Sequence, residues 1–169
     1  MKLETERLCL HPWGPDDWQA LRPIARHPDV MRYITGGIPW EDQQVREFVE
    51  RQLKYFNELG FCMWRLTERN QSDLIGLCGL QPMPDSTEIE IGWWLIPEHW
   101  GKGYATEAAQ CALADVFARS SLDRVVAVAR PDNTASRRVM VKLGMRYEED
   151  SLRRGIPVVK YAVSRTLEG

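Results

Sequence analysis

The sequence predicts a mixed α/β fold, an α+β arrangement with one mainly antiparallel sheet, a single parallel pair within it, and helices on both faces. Three observations carry this. Segments of strand and helix character follow one another as strand, helices, three strands, helix, strand, helix, two strands. The strand–helix–strand unit from Thr87 to Ala129 demands a parallel pair with a right-handed crossover. The other neighbours can pair antiparallel, as in the hairpin of Phe61 to Glu68 and Leu74 to Gln81 around the turn Arg69 to Asp73.

Each element has its own warrant. Glu6 to Trp13 reads as a strand, and Asp16 to His27 as a helix broken at Pro28, with a further short turn from Val30 to Ile34. Gly36, Gly37 and Pro39 mark a loop. From Glu41 to Leu59 the apolar residues Val45, Phe48, Val49, Leu53, Phe56 and Leu59 keep helical spacing, and Gly60 ends the run. Thr87 to Ile96 is a strand in which alternation holds at first and then fails at Trp93-Trp94-Leu95-Ile96, the pattern of a β-bulge. Tyr104 to Arg119 is a helix with a face of small residues, and Arg124 to Ala129 is a β-branched run suited to a buried strand. Asn133 to Leu143 is a helix closed by Gly144, and strands near Arg146 to Ser151 and Pro157 to Arg165 finish the chain. The acidic run Glu148-Glu149-Asp150 reads as a solvated turn.

Length and composition bound the function. The 169 residues suit one domain, 1–169, with a full core. A net charge of −2 with both signs interspersed advertises no nucleic-acid face. No apolar run reaches the roughly 18 residues of a membrane span, and no signal peptide opens the chain, so a cytoplasmic protein without membrane partners is expected. The four cysteines, Cys9, Cys62, Cys78 and Cys111, sit apart in apolar runs and read as reduced core residues. They share no ligand spacing with His11, His27 and His99, so no metal site is expected.

The functional signal lies in Pro97-Glu98-His99-Trp100-Gly101-Lys102-Gly103-Tyr104-Ala105-Thr106-Glu107, where a strand enters a glycine-rich loop that opens into a helix. Free backbone N–H groups and the positive end of the helix dipole together seat phosphate oxygens. The pattern GxxxxGK[ST] is absent. The dinucleotide fingerprint GxGxxG fits at Gly101 and Gly103 but finds Thr106 at its third glycine, and Asp123 lies in a loop rather than at a strand end.

The loop resembles the coenzyme A pyrophosphate loop of the GNAT N-acetyltransferase superfamily, and most closely its RimJ/RimL-like branch of ribosomal-protein N-terminal acetyltransferases. Thr5-Glu6-Arg7-Leu8-Cys9-Leu10, Glu90-Ile91-Gly92-Trp93-Trp94-Leu95 and Asn133-Thr134-Ala135-Ser136 followed by Lys142-Leu143-Gly144 are similar to that branch in the same order. The resemblance implies an acetyltransferase fold whose sheet splays at the parallel pair. It implies acetyl-CoA held by the main chain of Gly101, Lys102, Gly103, Tyr104, Ala105 and Thr106. It further implies that the N–H groups of Leu95 and Ile96 bind the pantetheine arm and the thioester carbonyl, with Asn133 assisting.

In such enzymes an amine attacks the thioester directly in a ternary complex. The family often places a tyrosine acid seven positions after the asparagine, where this chain has Met140, and Ser136 is the expected substitute. Glu90 is the expected base, with Glu88 beside it to attract the amine, and Tyr33 and Trp40 are expected at the acceptor wall. The acceptor is a primary amine, either a protein or peptide N-terminus or a small molecule such as a drug or polyamine. A non-catalytic acyl-CoA sensor is the reading of another class. Monomer and homodimer both remain open.

Overall fold

Eight strands form one sheet in the computed structural model, which describes residues 1–165, in the order β1-β2-β3-β4-β5-β6-β8-β7. The strands are β1 (Leu3–Glu4), β2 (Leu8–His11), β3 (Met63–Glu68), β4 (Gly76–Pro82), β5 (Ile89–Leu95), β6 (Arg124–Ala129), β7 (Arg146–Arg153) and β8 (Ile156–Ser164). The helices are α1 (Trp18–Ala25), α2 (Pro28–Met31), α3 (Asp42–Leu59), α4 (Tyr104–Arg119) and α5 (Thr134–Lys142). The strand expected from Glu6 to Trp13 is the shorter β2, and β1, which lies before it, pairs back onto it with Leu3 opposite Leu10.

The hydrophobic patterns explain the layers. Residues laterally in register share a face, so Trp64, Cys78 and Trp93 line one side and Met63, Gly79 and Gly92 the other. Trp93 reaches Ser136 of α5, whereas its neighbour Trp94 stacks on Phe48 of α3 with ring centroids 5.8 Å apart. Helices α4 and α5 thus cover one face at β5 and α3 covers the other. A doubly covered strand needs no polar side, and this is why alternation stops at Trp93-Trp94-Leu95-Ile96. The expected bulge is absent there: β4 and β5 pair without interruption from Pro82 opposite Ile89 to Gly76 opposite Leu95. The register shift in the described sheet falls instead in β7, between Tyr147 and Glu149. The acidic run expected as a turn is part of that strand, and Glu148 is bound by Arg124.

The parallel pair is minimal. Strands β5 and β6 meet in register at Glu90 and Val126 alone and then part company. On its other edge β6 pairs with β8 over six consecutive residues, Arg124 to Ala129. Divergence of β5 from β6 opens the sheet at the end where the glycine-rich loop and α5 begin. Among the described residues no helix is long and apolar enough to cross a membrane.

Candidate active site

The loop after β5 turns through one 3-10 turn, Pro97–His99, and then through Gly101 at φ 76° and Gly103 at φ 80°. Both conformations belong to the left-handed region, where a Cβ is strained whatever the space around it. Helix α4 starts at Tyr104, and its first turn bond to the preceding cap runs from Glu107 N–H to the Gly103 carbonyl at 3.0 Å. The six N–H groups from Gly101 to Thr106 have no acceptor among the described residues. They converge on a helix N-terminus and form a ready seat for an anion.

The opening motif of the chain braces this seat. Arg7 donates to the Lys102 carbonyl at 2.8 Å and to Glu107 at 2.7 Å, and its guanidinium lies 4.6 Å from the Tyr104 ring centroid. Thr5 also donates to Glu107. Tyr104 in turn donates to Glu68 at 2.7 Å and stacks on His99. The Glu68 carboxylate bound to the phenol raises the Tyr104 pKa, so the hydroxyl stays a donor at neutral pH. Arg7 and Thr5 were legible in sequence only as part of a motif; their bond to a glutamate about one hundred positions away was not.

Strand pairing decides which backbone donors face the splayed gap. Ile96 N–H donates to Ile75 O at 2.9 Å, within the sheet. The expectation that Ile96 would offer a free N–H is therefore corrected. In an antiparallel ladder the alternate residues point the other way, so the N–H groups of Leu95 and Trp93 face the side where β6 has separated. The Leu95 N–H, unlike that of Ile96, faces the gap, and Trp93 is a second donor there that the sequence did not reveal. The Leu95 carbonyl is occupied by the Trp100 indole N–H at 2.8 Å.

A cavity of about 790 Å³ opens beside the gap. Tyr33 and Trp40 line it, with Trp40 tilted against Phe48 and Trp94 at centroid distances of 5.6 and 5.1 Å. Asn133 and Ser136 line it too. The Asn133 side chain caps α5 by accepting from Ser136 N–H at 3.3 Å. The Ser136 hydroxyl oxygen accepts from the Trp93 indole at 3.3 Å, which leaves its own hydrogen to donate. Met140 lies under this wall, 1% exposed.

The two glutamates of β5 depart from expectation. Arg153 binds Glu90 through both ends of its guanidinium, at 2.7 and 2.9 Å, and Gln81 adds a third donor at 3.1 Å. Oε1 is thereby filled and Oε2 keeps one lone pair, so Glu90 meets the cavity as an ion-paired carboxylate with a single open acceptor position. The chain of amides continues inward, from Gln52 to Gln81 at 2.8 Å and from Met63 N–H to Gln52 at 2.8 Å. Buried polar groups that satisfy one another in series hold their last member, here Arg153, in one place. Glu88 does not line the cavity. It pairs with Arg124 at 2.8 Å, and its Oε2 lies 2.8 Å from Lys160 Nζ at an angle short of a directed hydrogen bond. Its expected contact with the acceptor is withdrawn on that ground.

A family model described as an acetyltransferase (GNAT) domain matches residues 7–146. The chain belongs to the GNAT acetyltransferase family. Consistent with this, the uncharacterized N-acetyltransferase YnaD of Bacillus subtilis (strain 168) is 34% identical over 148 residues, 88% of this acetyltransferase and 84% of YnaD. The solved acetyltransferase (GNAT family) from Bacillus anthracis is 30% identical, with a TM-score of 0.80 over 97% of this chain and 98% of the other. RimL, a ribosomal L7/L12 α-N-protein acetyltransferase solved in complex with coenzyme A, has a TM-score of 0.79 over 97% of this chain and 98% of its own. At 18% identity that last likeness concerns the fold alone.

Proposed function

We propose that this acetyltransferase moves an acetyl group from acetyl-CoA to a primary amine by direct attack in a ternary complex, in the manner of the RimJ/RimL-like branch. The row of six unpartnered N–H groups from Gly101 to Thr106, set beside the splayed gap, is the observation that carries the reading. Acetyl-CoA supplies the activated thioester. The donors of the loop hold its diphosphate, and the Trp93 and Leu95 N–H groups run along the gap where a pantetheine amide chain would lie. Leu95 N–H serves as the oxyanion donor, and loss of such a donor costs about 3 kcal/mol of barrier. Asn133 orients the arm through its remaining amide hydrogens. Ser136 gives its hydroxyl hydrogen to the departing sulfur, a modest aid because a thiol with pKa near 8.5 leaves tolerably as thiolate.

The acceptor must attack uncharged. An α-amine with pKa near 8 costs about 1.4 kcal/mol to deprotonate at pH 7, against about 4.6 kcal/mol for a lysine near 10.4. With Glu90 clasped by Arg153, α-amines and other weakly basic amines suit the site better than lysine side chains. Titration calorimetry with acetyl-CoA and with free coenzyme A tests the cofactor, and product mass across amines and peptide N-termini tests transfer. Binding of both forms with acetylated product is expected. Binding without product on any amine would favour a sensor, and no heat with either form would remove the reading.

A further inference from the structure

The cavity is cationic, and this selects among amines. It carries four arginines, Arg51, Arg130, Arg153 and Arg154, against two acids, Glu47 and Glu90. Glu90 is spent on Arg153. Among the described residues Arg51, Arg130 and Arg154 have no carboxylate partner within 4.0 Å; Glu47, which accepts from Gln43 at 3.0 Å, has no cationic partner either, and four arginines against two acids leave the lining two positive charges in surplus. The arginines come from three places: Arg51 from α3, Arg130 from the end of β6, Arg153 and Arg154 from the β7–β8 hairpin. Arg130 is steadied by the Tyr33 carbonyl at 3.2 Å, and Arg153 by the buried chain that ends in Glu90. Arg51 lies 5.9 Å from the Phe48 ring centroid, so the guanidinium groups share the cavity with the aromatic cluster of Trp40, Phe48 and Trp94.

We infer that the acceptor is a primary amine that also carries a carboxylate, which the arginines lining the cavity bind. This rests on reading the site as an acetyltransferase acceptor pocket. A planar guanidinium pairs with a carboxylate through two parallel hydrogen bonds, a match an ammonium or a neutral amide does not offer. The same field has a second effect. Nearby positive charge disfavours the protonated amine and so helps supply the neutral nucleophile in a pocket whose Glu90 is ion-paired to Arg153. A polyamine meets repulsion at each further charge.

The test is a matched series of acceptors: leucine and leucinamide, C-terminally amidated hexapeptides beginning with aspartate and with asparagine, and spermidine. Both carboxylate sources are covered, so the series also tells a free amino acid from an acidic N-terminus. The carboxylate member of a pair is expected to have kcat/KM about tenfold above its amide counterpart, the effect of one charge-assisted contact. Arg51→Gln with Arg154→Gln should raise KM for the carboxylate member and collapse that ratio, with acetyl-CoA affinity by calorimetry retained as proof of folding. Preference for the amide members or for spermidine, or a ratio untouched by the double substitution, would overturn the inference while leaving acetyl transfer standing. Acetyl-CoA binding with no turnover of any member would overturn it too. Loss of acetyl-CoA binding in the unaltered protein is a separate result, and it strikes the enzyme reading itself.

Discussion

Glu90 shows how a single residue type supports two roles that only surroundings separate. On an alternating strand beside the thioester site, an acid reads as a base. In the folded chain its side chain is 8% exposed and grips an arginine that is 31% exposed. Removing one partner of such a pair leaves the other desolvated and unpaired, a cost of about 1 to 3 kcal/mol at a cavity wall. Glu90→Gln is therefore expected to lower Tm by several degrees and to raise KM for the acceptor, because Arg153 loses its anchor. The pH dependence of kcat should keep its shape. A lost acid limb in the variant's pH–rate profile would restore Glu90 as the base. Three of the thiols need no such test: burial pushes Cys62 up to about 12 and raises Cys78 and Cys111 as well, so none of these three is a ready nucleophile.

At the scale of elements, strand β5 assigns its donors by parity. Ile96 gives its N–H to β4, and Leu95 and Trp93 give theirs to the gap. A bulge would have mixed these two sets; divergence of β6 keeps them apart and frees the donors without breaking the β4 ladder. Hydrogen exchange reads the difference residue by residue. In the free protein the amides of Trp93, Leu95 and Gly101 to Thr106 should exchange quickly, and acetyl-CoA should protect them. The amide of Ile96 should be slow in both states. Fast exchange at Ile96 with protection at Leu95 already present in the free protein would contradict the strand pairing.

The molecule as a whole joins its divergent strands with charge. Glu88, at the start of β5, meets Arg124 of β6 and Lys160 of β8, and Glu148 of β7 meets the same Arg124. Lys160 and Arg124 hold the Glu88 pKa below its ordinary 4.5, and Arg124 does the same for Glu148. A carboxylate lowered on folding contributes stability that is complete above its unfolded value and is lost as pH falls through its folded one. Lys160 is raised above 10.5, chiefly by Glu88, so its contribution is complete below 10.5 and is lost as pH rises through the folded value. Stability from this network should form a plateau between those limits. Glu88→Gln should flatten the acid limb of Tm measured from about pH 3 to pH 6; an unchanged slope would show that the network adds nothing.

The helix α4 from Tyr104, the buried strand β6 from Arg124 to Ala129, the glycine loop between β5 and α4 and the cap at Asn133 were all legible in the chain itself. Each follows from local rules: apolar spacing, β-branching, glycine at positive φ, an amide at a helix start. Tertiary structure alone decided which N–H groups of β5 are free, that Arg153 neutralises Glu90, that Glu88 belongs to a strut, and that arginines from three places in the chain share one cavity with the rings of Trp40, Phe48, Trp93 and Trp94. Those facts depend on register and on side chains brought together from tens of positions apart. No window of sequence contains both members of such a pair.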